Sequence, residues 1–325
     1  MITLSPSGMH CAKGRFHVDP WRNCDEALIT HAHSDHARIG AKLYHCTPGT
    51  AALIALRLGS VSIQTHEFGE KFKMHDTWVS FHPAGHILGS SQVRVENRDE
   101  VWVFSGDYKR DADPSCEPWE TVECGTFITE ATFALPIYVW EPTKVVVRDI
   151  FEWWQADRES CSILFGYSLG KSQRVLAALT EFTDRPVYVH GAVAKLTEIY
   201  RSHGVKMVPT RTLAEGEGAK LKGELILAPP SAHRSPWMKR FPNPQTAFAS
   251  GWMQVRGQRR RHGYERGFVL SDHVDWPGLL QTIEETKAKN ILITHGQSAV
   301  LGRYLNGKGW TASELQTEFA AEGEA

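Results

Sequence analysis

Residues 27–40 read ALITHAHSDHARIG, which places His31, His33, Asp35 and His36 within six positions, directly behind a short apolar run. Neutral imidazoles together with a carboxylate are the donors that zinc or manganese takes. In an extended segment alternate residues share a side, so His31, His33 and Asp35 converge from a strand end, and His36 follows as the chain turns into a helix. Three neutral histidines and one aspartate cancel only part of the cation's charge. The remainder acidifies a bound water and holds an anionic substrate. Further donors stand behind other apolar runs: His86 in FHPAGHILGSS, Asp107 in VFSGDYKR and His295 in ILITHGQ. Taken singly, Asp107 reads equally well as a turn residue and His295 as a helix cap. Their shared placement at strand ends joins them to the first cluster in a dinuclear centre.

Such a centre needs strands that all end at one edge. Short β-type runs fill the first 130 residues: GRFHV, EALIT, KLYHC, WVSFHPA, SQVRVE, VWVFSG and GTFITEA. One helix interrupts them, TAALIALRLG, with Thr50 as its expected cap and Gly59 as its stop. Beyond Pro142 the pattern alternates strand and helix through SILFGYSLGKSQRVLAALTEF, RPVYVHG, VAKLTEIYRSHG, GELILAPP and QTAFASG. That alternation predicts a parallel α/β sheet. The last segment, GFVLSDHVDWPGLLQTIEETKAKNILITHGQ, reads strand, helix, strand, with Asp275 as the helix cap.

At 325 residues the chain is long enough for one large domain or two, and its net charge of −1 gives no global basic field for nucleic acid. The six cysteines form no CxxC pair, which argues against a zinc knuckle or a disulfide framework and for a reducing, cytoplasmic setting. The N-terminus lacks the apolar core of a signal peptide, and no stretch is apolar enough to cross a membrane.

HxHxDH at 31–36, AGHILGS around His86 and SGDYKR around Asp107 closely resemble the metallo-β-lactamase fold. TEATF at 129–133, SDHVDW at 271–276 and ITHGQ at 293–297 are similar to the further motifs of its β-CASP nuclease branch, which includes Artemis, ribonuclease J and the pre-mRNA 3′-end endonuclease. Length, the HVDPW start and FGYSLGKSQR place the resemblance nearest the bacterial ligase-associated DNA exonucleases. The resemblance implies an αββα sandwich over 1–140 and 265–325, with an inserted β-CASP α/β domain carrying a parallel sheet over 141–264. It also implies two zinc ions, with manganese as the alternative. His31, His33 and His86 would hold one ion, and Asp35, His36 and His295 the other, with Asp107 bridging. Asp19 in HVDPW would orient the cluster from behind. Asp35 would serve catalysis through its ion, while His273 would be the general acid and Glu130 its carboxylate partner.

GYSLG at 166–170 also fits the G-x-S-x-G nucleophile elbow between a strand and a helix. In that reading Ser168 is a hydrolase nucleophile served by Asp272 and His295. The extended GYSLGKS is one residue short of a P-loop. A third reading takes the turn's N–H groups with Ser168, Lys171 and Ser172 as a site for a substrate phosphate. The cluster Arg256, Arg259, Arg260, Arg261 and Arg266, with Arg234, Lys239 and Arg240, would add phosphate contacts without sequence choice. Trp237 and Trp252 are candidates to stack bases, with apolar packing as the alternative. The expected substrate is single-stranded or end-containing DNA in a repair setting, with an ATP-dependent DNA ligase and a helicase as expected partners. RNA is the alternative, because within the resembling branch a histidine at the place of His295 marks the RNA-cleaving members.

Overall fold

The computed structural model describes residues 1–98, 100–213, 218–255 and 263–318. The chain forms two compact units. The first comprises 1–112, 116–139 and the chain from His273 onward; the second comprises 113–115 and 140–272.

The first unit is built on two sheets. Ile2–Ser5, Gly8–Cys11, Phe16–Val18, Cys24–Leu28, Ala41–Cys46 and Ile63–Thr65 lie in chain order, antiparallel at first and parallel from Phe16–Val18 onward. The second sheet runs Thr311–Glu314, Asn290–Gly296, Thr126–Ala131, Glu100–Phe104, Ser91–Asn97, Thr77–Pro83, Phe72–Met74. Met9, Phe16 and Leu28 from the first sheet share one core with Phe81, Val93, Phe104 and Ile128 from the second, so the sheets pack face to face. Alternation along the strands turns Val103, Phe127, Ile291 and Ile293 to the other face. There they meet Leu279 and Ile283 of helix Trp276–Glu285 and Leu301 and Leu305 of helix Ser298–Gly307.

Glu100–Phe104, Thr126–Ala131 and Asn290–Gly296 are parallel, and Pro83 pairs with Ser91 beside the same end. The next-to-last residues of two of these strands, Glu130 and His295, and the turns that carry His86 and Asp107 therefore come to one edge of the sheet. Parallel pairing of Phe16–Val18 with Cys24–Leu28 does the same for Asp19 and His31.

The second unit holds an all-parallel sheet in the order Thr210–Thr212, Val187–Val189, Leu225–Ala228, Ser162–Phe165, Gln245–Ala249, Arg266–Phe268. Leu164 faces a core with helices Thr143–Ala156 and Lys171–Ala178, while Ile163 and Phe165 face the opposite core. Arg266–Phe268 is this sheet's edge strand, so the second unit extends past the expected boundary at 264.

Two local expectations change. His36 does not lead into a helix; it lies in a single turn closed by Ala37 N–H to the His33 carbonyl. The following helix, Pro48–Leu58, is capped by Thr47, whose side chain accepts from Thr50 N–H, because Pro48 occupies its first turn. Gly59 stops it with φ 78°, and Asp275 caps its helix by accepting from Gly278 N–H. No helix among the described residues is long and apolar enough to cross a membrane, and none of the six cysteines is in a disulfide.

Candidate metal centre

Asp107 is where the donors meet. Its Oδ2 lies 3.6 Å from His31 Nε2, 3.8 Å from His86 Nε2 and 3.5 Å from His36 Nε2, and its Oδ1 lies 3.3 Å from His295 Nε2. His33 Nδ1 stands 3.1 Å from His86 Nε2. Donor atoms of His31, His33, His86 and Asp107 form one compact group, those of His36, Asp107 and His295 a second, and Asp107 belongs to both. Asp35 flanks the second group, with Oδ2 3.7 Å from His36 Nε2, and is partly open, as are His33 and His295.

These spacings suit a cation. A tetrahedral zinc with bonds of 2.0–2.1 Å keeps its donors about 3.3–3.4 Å apart, and the separations above fall around that edge length. Nε2 of His31 is buried and has no hydrogen-bond partner among the described residues, a costly arrangement for a polar atom unless an ion takes its lone pair. The electrostatics agree. Burial opposes charge on His36, yet Asp107, Asp35 and Asp19 around it raise its pKa to about 10. Burial likewise opposes charge on Asp107, but His36, His273, His295 and His31 hold its carboxyl well below the usual carboxylate range. Burial, with His36 beside it, pushes the His31 imidazole well below its ordinary value. The pocket thus calls for positive charge, which a proton on His36 or a divalent cation supplies in turn.

Asp19, fully buried at a φ of 43°, backs the 31–36 segment. It accepts from Thr30 N–H at 2.8 Å, from the Thr30 hydroxyl at 2.6 Å and from His36 Nδ1 at 2.7 Å. Burial raises its pKa, and His36 and Thr30 draw it back. Arg57, on the helix Pro48–Leu58, adds a second brace by donating to the Ala32 carbonyl at 2.5 Å. Beside the donors, His273 lies with its ring centroid 4.9 Å from that of His86, and its Nδ1 is 2.8 Å from Glu130 Oε2. The other Glu130 oxygen accepts from Tyr108 N–H.

Three residues that contact the donor segments were missed in the sequence: Thr30, Arg57 and Thr294, whose hydroxyl lies 2.9 Å from His295 Nδ1. Ile-Thr-His occurs at 29–31 and again at 293–295, a repeat that could have flagged both threonines. Nothing in the sequence around Arg57 marks it.

The GYSLGKS turn differs from the expectations placed on it. Lys171 Nζ is buried 2.8 Å from Asp272 Oδ2, so its charge is taken up inside the protein rather than offered to a phosphate. Ser172 donates to the Tyr167 carbonyl. Arg174 Nε lies 2.9 Å from Asp272 Oδ1 and 3.2 Å from Asp113 Oδ2. Asp272 therefore serves two cations, and His295 Nε2 lies against Asp107. Trp237 packs on Phe241 and His190, and Trp252 against the second unit's core, so both are apolar packing residues. Arg266 lies over the Phe268 ring. Lys239 and Arg240 close the short helix Pro236–Arg240, and Arg234 has φ 57°. Arg256, Arg259, Arg260 and Arg261 lie outside the described residues.

No family model matches the sequence. The chain is 35% identical over 292 residues to a protein of Opitutus terrae named "Probable DNA ligase", a match covering 88% of this chain and 28% of that one. It is 27% identical over 239 residues to "Transcription termination factor FttA" of Methanosarcina mazei, covering 57% of this chain and 36% of the relative. It is 24% identical over 213 residues to an "RNase J-like protein" of Methanocaldococcus jannaschii, covering 55% and 50%. The chain thus spans half or less of the length of each of these relatives. Among solved structures, a protein of unknown function from Enterococcus faecalis V583 shares the fold, with a TM-score of 0.63 at 12% identity over 91% of this chain and 80% of the other.

Proposed function

We propose that this chain is a metallo-β-lactamase-fold nuclease of the β-CASP branch, which hydrolyses phosphodiester bonds with two bound divalent cations. The observation that carries this reading is Asp107 within 3.3–3.8 Å of His31, His36, His86 and His295, so that one carboxylate serves two donor groups. The first unit, with its two face-to-face sheets and outer helices, is the αββα sandwich in this reading, and the second unit is the inserted domain. His31, His33, His86 and Asp107 would hold one zinc or manganese ion, and Asp35, His36, His295 and Asp107 the other. Such a pair supplies an acidified water and neutralises charge at a phosphate. The protein's own contributions are orientation and a proton. Asp19 and Arg57 hold the 31–37 segment in place. His273, oriented by Glu130, delivers a proton to the departing oxygen.

DNA is the substrate class we favour, in a repair setting beside an ATP-dependent ligase and a helicase. Its support is the region similar to 88% of this chain inside a protein named for DNA ligation. RNA is the second reading, supported by a different observation: His295 lies beside Asp107, and a relative named as RNase J-like matches about half of the chain. Digestion of matched end-labelled DNA and RNA strands, with and without chelator, tests both. Degradation of DNA alone, abolished by chelator and restored by zinc or manganese, is the expected result. Degradation of RNA alone assigns the second reading, and activity that survives chelation removes both.

A further inference from the structure

We infer that Thr30 and Thr294 are positioning residues, one for each donor group, which fix the nitrogen that His31 and His295 turn toward the cation. This rests on the metal-centre reading above. The argument is a count of protons. Thr294 Oγ1 lies 3.2 Å from the Thr129 carbonyl and 2.9 Å from His295 Nδ1. A carbonyl oxygen only accepts, so the single hydroxyl proton goes to Thr129 and Oγ1 accepts from His295 Nδ1–H. In that tautomer His295 turns the lone pair of Nε2, not a proton, toward Asp107 Oδ1 at 3.3 Å. Two acceptors at that distance repel unless positive charge lies between them.

The same count holds at the other histidine. Asp19 accepts from Thr30 N–H, the Thr30 hydroxyl and His36 Nδ1. An ionised carboxylate has no proton to give, so the Thr30 proton goes to Asp19 and Oγ1, 3.0 Å from His31 Nδ1, accepts from that nitrogen. His31 Nε2 is thereby freed for the cluster. Asp19 serves His36 directly and reaches His31 through Thr30. Thr294 serves His295 without Asp19. Both threonines are buried, and a β-branched side chain has few χ1 choices, so each hydroxyl stays where the histidine needs it.

Removing a hydrogen-bond partner of this kind costs about 10–100-fold in metal affinity. The test uses the full chain, titrated with zinc against a chromophoric chelator, as wild type, Thr30→Val, Thr294→Val, the double variant, and Thr30→Ser and Thr294→Ser. Long-range ¹H–¹⁵N spectra of the ion-free proteins report the histidine tautomers. Each valine variant is expected to weaken one of two zinc ions by about 10–100-fold, and the double variant both. The serine variants, which keep the hydroxyl, restore wild-type affinity. In the ion-free spectra His295 loses its Nδ1–H tautomer in Thr294→Val alone, and His31 in Thr30→Val alone. Unchanged affinities and tautomers in the valine variants would overturn the inference. If the wild type binds no zinc, the metal-centre reading fails, and the spectra still decide whether the threonines set the tautomers.

Discussion

His273 Nδ1 donates to Glu130 Oε2 at 2.8 Å, with both side chains 1% exposed. A buried carboxylate at this distance fixes the ring's orientation, which a proton donor needs. His273→Asn is expected to lower kcat by about 10²–10⁴-fold while both zinc ions remain bound. Glu130→Gln keeps the shape, removes the charge, and should give a smaller loss, also in kcat. Steady-state kinetics with zinc content measured on each variant checks this. Loss of an ion in His273→Asn would recast His273 as a ligand.

The pocket's charge makes metal binding depend on pH. His36, raised from 6.5 to about 10 in the ion-free protein, must give up its proton when a cation takes its nitrogen. Apparent affinity at that position should therefore rise about tenfold per pH unit up to that value. In the ion-free protein, the charged His36 adds stability that is fully present below pH 6.5 and lost as pH rises through about 10. Thermal unfolding of chelator-treated protein should thus weaken from pH 7 toward 10, while zinc-loaded protein changes little. Parallel curves for the two forms would contradict this.

The candidate donors stood out because metal chemistry restricts residue types, and because His31, Asp107 and His295 stand at or just past the ends of strands that carry short apolar stretches. The parallel sheet of the second unit was legible from its strand–helix alternation. Ile63–Thr65, mostly exposed, and Gly8–Cys11, in a segment rich in turns, lack the apolar runs that announce a strand, and tertiary pairing makes them. Lys171 misled for a related reason. A lysine after a glycine turn is also what a phosphate site looks like, and only the fold brings Asp272 to it, about a hundred residues on.

Gly296 follows His295 with φ 81°, and a Cβ there would lie 2.2 Å from the Ala131 carbonyl oxygen. Gly296→Ala must therefore push apart the ends of Thr126–Ala131 and Asn290–Gly296, which carry Glu130 and His295. The expected result is loss of one zinc ion and most activity, with about 1–3 kcal/mol of backbone strain. Zinc content and the melting temperature report the two effects separately. A variant that keeps both ions would show that the strand ends tolerate the shift.

Lys171, Arg174, Asp113 and Asp272 form a buried neutral tetrad in the second unit, and Asp272 directly precedes His273 in the chain. Breaking a buried pair from one side strands the other charge, at a cost of about 3–5 kcal/mol. Arg174→Met leaves two carboxylates facing one ammonium, and Lys171→Met leaves them facing one guanidinium, so each should lower the melting temperature by roughly 6–20 °C. Ser168→Ala touches none of these charges. It should stay within about 0.5 kcal/mol of wild type, keep nuclease activity, and match a wild type that a fluorophosphonate does not label. The opposite pattern, an intact melting temperature in Lys171→Met with weakened nucleic-acid binding, would return Lys171 to the phosphate site that its sequence context suggests.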